Sequence, residues 1–279
     1  MKRLLNFYAS ALVLLFNFVT SDGLVRDVKL PRRAIFAAGG ASVYGVLVGS
    51  TLKRIQKAKS DSPYTNAIME VIHRTVDTGS GKSGSEKAEG EPLRVLEVGI
   101  GPEADHLERY PPGIAFTGLD PEGWTARQAS LVQGRAEARG FDSVELVQES
   151  IQEHLARVGT AKYDAVLGFF VLCSVIDVDE ALQGISGLLK PGRPYGFVEH
   201  VRAPDGSSML RQQELLSPLQ QLVAHNCHLE RPTDETLVAA ATASGSSPTA
   251  LFSRVEVLER YEVPSMWPVS EQAWGVLLR

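Results

Sequence analysis

The stretch Arg94-Val95-Leu96-Glu97-Val98-Gly99-Ile100-Gly101-Pro102 constrains the fold more than any other part of this chain. An apolar run broken by one acid, Glu97, reads as a buried strand, and it delivers Gly99 and Gly101 into a tight turn. Glycine accepts positive φ and lets a ligand approach the backbone with no Cβ in the way. A helix is expected to follow, its N-terminus presenting free N–H groups. Nineteen residues after Gly101, Asp120 closes a second apolar run, Ile114 to Leu119. In nucleotide-binding α/β folds a carboxylate about 20 residues beyond the glycines meets a ribose. Strand, glycine turn, helix, strand and acid together predict a doubly wound, mostly parallel sheet with a nucleotide-type cofactor at its carboxyl edge.

Two cofactors suit such a turn. Gly99-Ile100-Gly101-Pro102-Glu103-Ala104 satisfies the dinucleotide pattern G-x-G-x-x-G/A, so an NAD-dependent oxidoreductase is permitted, with Asp120 as the ribose acid. Glu103 weighs against it, because a carboxylate beside a helix N-terminus repels the pyrophosphate that would sit there. S-adenosylmethionine carries no phosphate, and its methionine end bears a sulfonium and an ammonium, so Glu97 is favourable beside it. A third reading is a non-catalytic binding protein that keeps the fold.

The remaining pattern extends the sheet. Asp164 to Leu172 reads as a buried strand, Val178 to Leu189 as a helix ending at Lys190-Pro191-Gly192, and Tyr195 to Val201 as the next strand. A Gln- and Leu-rich helical insertion, 206–225, is expected to cover an acceptor site. A helix from Thr233 to Ser244 precedes a final antiparallel hairpin, Ser253 to Tyr261 and Ala273 to Leu278, which brings the sheet to seven strands. Upstream, Ser62 and Pro63 open a helix with Tyr64, Ile68, Met69, Ile72 and Val76 on one stripe.

This succession resembles class I methyltransferases. The segments Phe170-Val171-Leu172-Cys173-Ser174-Val175 and Tyr195-Gly196-Phe197-Val198-Glu199-His200-Val201 are more specific. With Gln212-Gln213, Pro218 and Cys227-His228-Leu229, they resemble the membrane-associated methyltransferase-like family of thiol S-methyltransferases, over about residues 92–279. The resemblance implies a Rossmann-like methyltransferase fold, S-adenosyl-L-methionine as cofactor, and a small or lipophilic acceptor such as a thiol. The family usually has Gly where this chain has Glu103 and a small polar residue where it has Pro102. In such a pocket Glu97, Gly99 and Gly101 are expected to shape the methionine end and Asp120 to hold the ribose. Glu149 or Ser150 would approach the adenine, and Phe169, Phe170 and Val171 would line the floor. Methyl transfer is an in-line displacement that depends mainly on alignment and exclusion of water. A thiol, with a pKa of about 8.5, ionises appreciably at neutral pH whereas an alcohol does not. His200, at the end of the fifth strand, is the expected base.

Composition narrows the partners. With 279 residues, 44% of them apolar, the chain can bury one α/β core. A net charge of -5 and no long basic run in the catalytic part argue against nucleic acid, which needs clustered Lys and Arg. Two cysteines, Cys173 and Cys227, give no disulfide framework. His225-Asn226-Cys227-His228 is not joined by a second ligand cluster, so no metal is expected.

Residues 1–52 read as a signal, targeting or membrane-anchor region, 53–91 as a lead-in helix and flexible linker, and 92–279 as the methyltransferase domain. Lys2-Arg3 precede the uncharged run Leu4 to Val19, and a second uncharged run, Ala34 to Leu52, lies between Arg32-Arg33 and Lys53-Arg54. Association with the endoplasmic reticulum or a related endomembrane is expected. Pro31-Arg32-Arg33-Ala34-Ile35-Phe36 resembles a twin-arginine export signal and makes a plastid the alternative.

Overall fold

The computed structural model describes residues 63–80, 91–242 and 251–279. Its strands are β1 (Leu93–Val98), β2 (Ile114–Leu119), β3 (Ser143–Val147), β4 (Ala165–Phe169), β5 (Pro194–His200), β6 (Arg254–Glu262) and β7 (Glu271–Leu278). The helices are α1 (Pro63–Gly79), α2 (Ala126–Arg139), α3 (Ile151–Val158), α4 (Val178–Leu188), α5 (Ser208–Val223) and α6 (Thr233–Thr242). The strands form one sheet in the order β3-β2-β1-β4-β5-β7-β6. Pairing is parallel from β3 through β5, and β7 is antiparallel to both β5 and β6. The doubly wound seven-stranded sheet is therefore as expected, including the final hairpin.

Helices cover both faces of the parallel strands, which is why β4 and β5 are buried at every position and β4 reads as a continuous apolar run. Side chains alternate between the two faces. Val95 joins Ile68, Val71 and Phe116 in one core cluster, while Leu96 joins Val166, Leu182 and Ile185 in the other. Helix α1 packs directly on β5. A Cβ at Gly196 would stand 2.0 Å from Thr75 Oγ1, so only glycine permits that approach. The inner stripe of α1 is Ala67, Ile68, Val71, Ile72 and Val76, whereas Met69, placed on the stripe by its spacing, is 44% exposed.

One expected element does not form. Residues 101–106 run through successive turns into a 3-10 turn, Leu107–Arg109, where an α-helix was expected to follow the glycines. Ala104 has φ +48, which no α-helix accommodates. Arg135 of α2 donates to the carbonyls of Glu103 and Ala104, acceptors that an α-helix would use internally.

The apolar runs of 1–52, and with them the targeting and anchor readings, lie outside the described residues, as does 81–90 of the linker. Among the described residues, no helix is long and apolar enough to cross a membrane.

Candidate functional site

The glycine turn lies at the carboxyl edge of β1, with Gly99 at φ +66 and Gly101 at φ +71. Val171 rests on Gly99, where a Cβ would come within 2.6 Å of the valine methyl. Gly101 N–H donates to Asp120 Oδ2 at 2.9 Å, and its carbonyl accepts from Trp124 Nε1 at 3.1 Å. Apart from its chain neighbours, no atom of the described residues stands within 4 Å of where a Gly101 Cβ would be, so the turn is open there. The second Asp120 oxygen accepts from Glu122 N–H at 2.9 Å. Burial raises the Asp120 carboxyl above its ordinary range, and the two N–H groups oppose that shift. Gly99, Gly101, Asp120 and Val171 thus share one surface. Positive-φ glycines, open space and a half-buried carboxylate at ribose spacing fit S-adenosylmethionine. A dinucleotide fits less well, since no helix N-terminus follows the turn to receive its pyrophosphate. Glu103 is exposed, so its side chain points to solvent.

Glu97 is buried and fully engaged. Tyr110 donates its hydroxyl to Oε2 at 2.7 Å, and His106 Nδ1 lies 3.2 Å from Oε1. The His106 ring packs on Phe169 at 4.4 Å, and its Nε2 meets the Tyr64 hydroxyl at 3.3 Å. Tyr64 in turn lies 5.7 Å from Phe170, centroid to centroid. Burial, reinforced by Glu97, pushes the Tyr110 hydroxyl well above its usual range, so it stays a donor. Glu97 therefore anchors the turn that follows the glycines. Sequence reasoning missed Tyr64, His106, Tyr110 and Trp124, because contacts across 9 to 42 residues leave no periodic trace.

Glu149 and Ser150 are bound to local structure. Ser150 caps α3, accepting from Glu153 N–H while the Glu153 side chain accepts from Ser150 N–H. Glu149 pairs with Arg157 Nε at 2.7 Å and His154 Nδ1 at 3.1 Å. These pairings, Arg157 foremost, hold its carboxyl below the usual range. Beside them Gln148 reaches the carbonyls of Pro121 and Glu122, joining the ends of β2 and β3.

The opposite wall is built on Glu199 and His200. The buried Glu199 carboxylate accepts from Val171 and Leu172 N–H at 2.8 Å each and from Cys173 N–H at 3.3 Å. Burial pushes it up to about 7 against the pull of those donors. Arg231 donates to the carbonyls of Leu172 and Val175, so the 170–175 turn is held from both sides. Phe170, at φ +57, stacks on the His200 ring with centroids 6.4 Å apart. His200 Nε2 lies 3.0 Å from Cys227 Sγ, while Nδ1 is buried with no hydrogen-bond partner among the described residues. Burial works to discharge the His200 ring, yet the Cys227 sulfur carries the net shift upward. The Cys173 hydrogen bond and the His200 charge hold the Cys227 thiol below the usual range, and Cys173 is pushed up in return. His225 pairs at the surface with Glu122 at 2.6 Å. Asn226 donates to Ser174 O at 3.1 Å.

A family model described as a methyltransferase domain matches residues 96–192. Thiol S-methyltransferase TMT1B of Rattus norvegicus is 32% identical over 184 residues, covering 66% of this chain and 69% of the relative. Thiol S-methyltransferase TMT1A of Homo sapiens is 29% identical, covering 63% and 66%. Among solved structures, the CurJ carbon methyltransferase superposes with a TM-score of 0.53 at 16% identity, covering 81% of this chain and 58% of that one. The [4+2]-cyclase SpnF gives 0.52 at 17% identity, covering 77% and 80%. These two likenesses speak to the fold.

Proposed function

Because the chain belongs to the TMT1 thiol S-methyltransferase family of class I S-adenosylmethionine-dependent methyltransferases, we propose that its acceptor is a small lipophilic thiol. Bound S-adenosylmethionine supplies a methyl group already activated by its sulfonium. Glu97, Gly99 and Gly101 shape the methionine end, and Asp120 accepts from the ribose. The start of α3 at Glu149 and Ser150 borders the adenine, and Phe169, Phe170 and Val171 form the floor. His200 serves deprotonation of the acceptor.

The observation that carries this reading is the continuity of one wall. Val171 rests on Gly99, and the adjacent Phe170 stacks on His200, so one two-residue segment touches both the glycine turn and the buried imidazole. The acceptor side is apolar, with Phe170, Leu216, Ala224 and Val269 packed around Cys173, Cys227 and Leu229. Such a lining favours an uncharged, greasy acceptor and excludes the water that would compete with it. The N-terminal segment keeps the enzyme at an endomembrane, with the plastid as alternative, and Leu215 and Leu222 add apolar surface to α5.

The test gives the purified full-length chain S-adenosylmethionine with an alkyl thiol or the matching alcohol. Faster methylation of the thiol is expected, because its thiolate forms without a strong base. Equal rates on both would overturn the thiol assignment.

A further inference from the structure

Three distant points of the chain bring soft donor atoms to one place. Cys173 comes from the turn after β4, His200 from the last residue of β5, and Cys227 from the loop after α5. Their ligand atoms all lie within 4.8 Å of one another, and all three residues are buried. We infer that Cys173, His200 and Cys227 form a three-ligand site for zinc, whose open fourth position receives the sulfur of the acceptor. The second half of that statement rests on the thiol reading above.

Donor chemistry selects the ion. Two thiols and an imidazole suit zinc, whereas calcium and magnesium require oxygen donors. The buried carboxylate beside Cys173, Glu199, is already committed to three backbone N–H groups. Zinc held at about 2.3 Å from sulfur and about 2.0–2.1 Å from nitrogen keeps its donors roughly 3.5–3.8 Å apart. The 3.0 Å between His200 Nε2 and Cys227 Sγ, and the 4.8 Å limit on the set, bracket that spacing. Changes of about an ångström in those separations would match the donor spacing of a tetrahedral site.

Charge and surroundings agree. A divalent ion with two thiolates is neutral, so an apolar shell can hold it without an uncompensated buried charge. Gln220 directs its amide Nε2 at Cys227 Sγ from 3.5 Å, an outer contact of the kind that orients a metal ligand. Cys173 and the Cys227 loop are tied by His228 N–H donating to Cys173 O at 2.9 Å. No fourth Cys, His, Asp or Glu joins the set among the described residues. Closed structural zinc sites have four protein ligands, and sites that act on a substrate have three plus an open position. The acceptor's sulfur would enter there. Its S–H proton passes to solvent, a sulfur–zinc bond forms, and a water ligand leaves. His200 then serves deprotonation through the ion it holds.

The experiment uses the full-length chain, purified under reducing conditions with any polyhistidine tag removed. Elemental analysis should find close to one zinc per chain. After chelation and titration with cobalt(II), thiolate charge-transfer and tetrahedral visible bands should appear, and an added alkyl thiol should shift the visible bands. Cys173→Ser and Cys227→Ser should each weaken cobalt binding at least about tenfold. The wild-type measurements stand even if a variant fails to fold. Substoichiometric zinc with no cobalt bands would overturn the site, and bands that ignore the thiol would overturn the open position. Thiol methylation that persists in metal-free protein would overturn the role of zinc in receiving the acceptor and leave the thiol-acceptor reading intact. Stoichiometric zinc with no thiol methylated would do the reverse.

Discussion

Glu199→Gln separates the cost of burying a carboxylate from the value of the hydrogen bonds it makes. Glutamine is nearly isosteric, and its carbonyl can take the place of Oε1 against Val171 and Leu172 N–H. Its NH2 group then faces Cys173 N–H, donor against donor, where Oε2 now accepts at 3.3 Å. The pH dependence is the sharper signature. Glu199 is raised from 4.5 to about 7 because burial outweighs its three donors. Between those values the folded chain holds a proton that the unfolded chain has released, so stability falls as pH rises through this window and levels off above it. The displacement corresponds to about 3 kcal/mol. Gln does not titrate. Urea unfolding of both proteins from pH 4.5 to 8, followed by the fluorescence of Trp124, Trp267 and Trp274, should show the variant gaining on the wild type by that order. A difference that is flat with pH, or one in which the wild type gains, would refute the argument. The variant should also methylate more slowly at every pH, since the 170–173 turn loses one of its three holds.

Tyr110→Phe removes the donor to a buried carboxylate oxygen at 2.7 Å. It should cost about 1–3 kcal/mol in denaturant unfolding, and an unchanged midpoint would show that Glu97 does not depend on it. Glu103→Gly should leave the dissociation constant for S-adenosylmethionine within about twofold, because the side chain is exposed. Markedly tighter binding would show that the carboxylate crowds the pocket. His200→Ala should slow transfer to thiols while leaving calorimetric binding of the cofactor nearly intact, and loss of both together would point to collapse of the wall. The full-length chain should sediment with membranes and resist carbonate washing, whereas a fragment starting at Lys53 should stay in the supernatant. Recovery of the full-length chain in the supernatant would end the membrane proposal.

Local pattern carried the strands, the glycine turn and Asp120, because each is written in consecutive residues: apolar runs, positive-φ glycines and an acid at fixed spacing. The α5 insertion and the last hairpin were legible for the same reason. The missing helix after Gly101 was not, since it is undone by Arg135 from 31 and 32 residues downstream taking the carbonyls of Ala104 and Glu103. Tyr110 on Glu97 and the meeting of Cys173, His200 and Cys227 are likewise products of the sheet order. Sequence proximity suggested His225-Asn226-Cys227-His228 as a cluster, yet the fold sends His225 to Glu122 and Cys227 to His200. Glu149 and Ser150 follow β3, but Ser150 caps α3, which a Ser-x-x-Glu pattern could have revealed, and Glu149 pairs with His154 and Arg157 of that helix.

The assignment of the glycine turn and Asp120 to the cofactor is tested most directly by calorimetric titration of the wild type and Asp120→Ala with S-adenosylhomocysteine, with NAD as the control. The wild type should bind S-adenosylhomocysteine and ignore NAD, and the variant should bind more weakly by roughly 1–3 kcal/mol through loss of a charged acceptor for the ribose. Equal affinity in wild type and variant, or tight binding of NAD, would contradict the placement of the cofactor at this edge of the sheet.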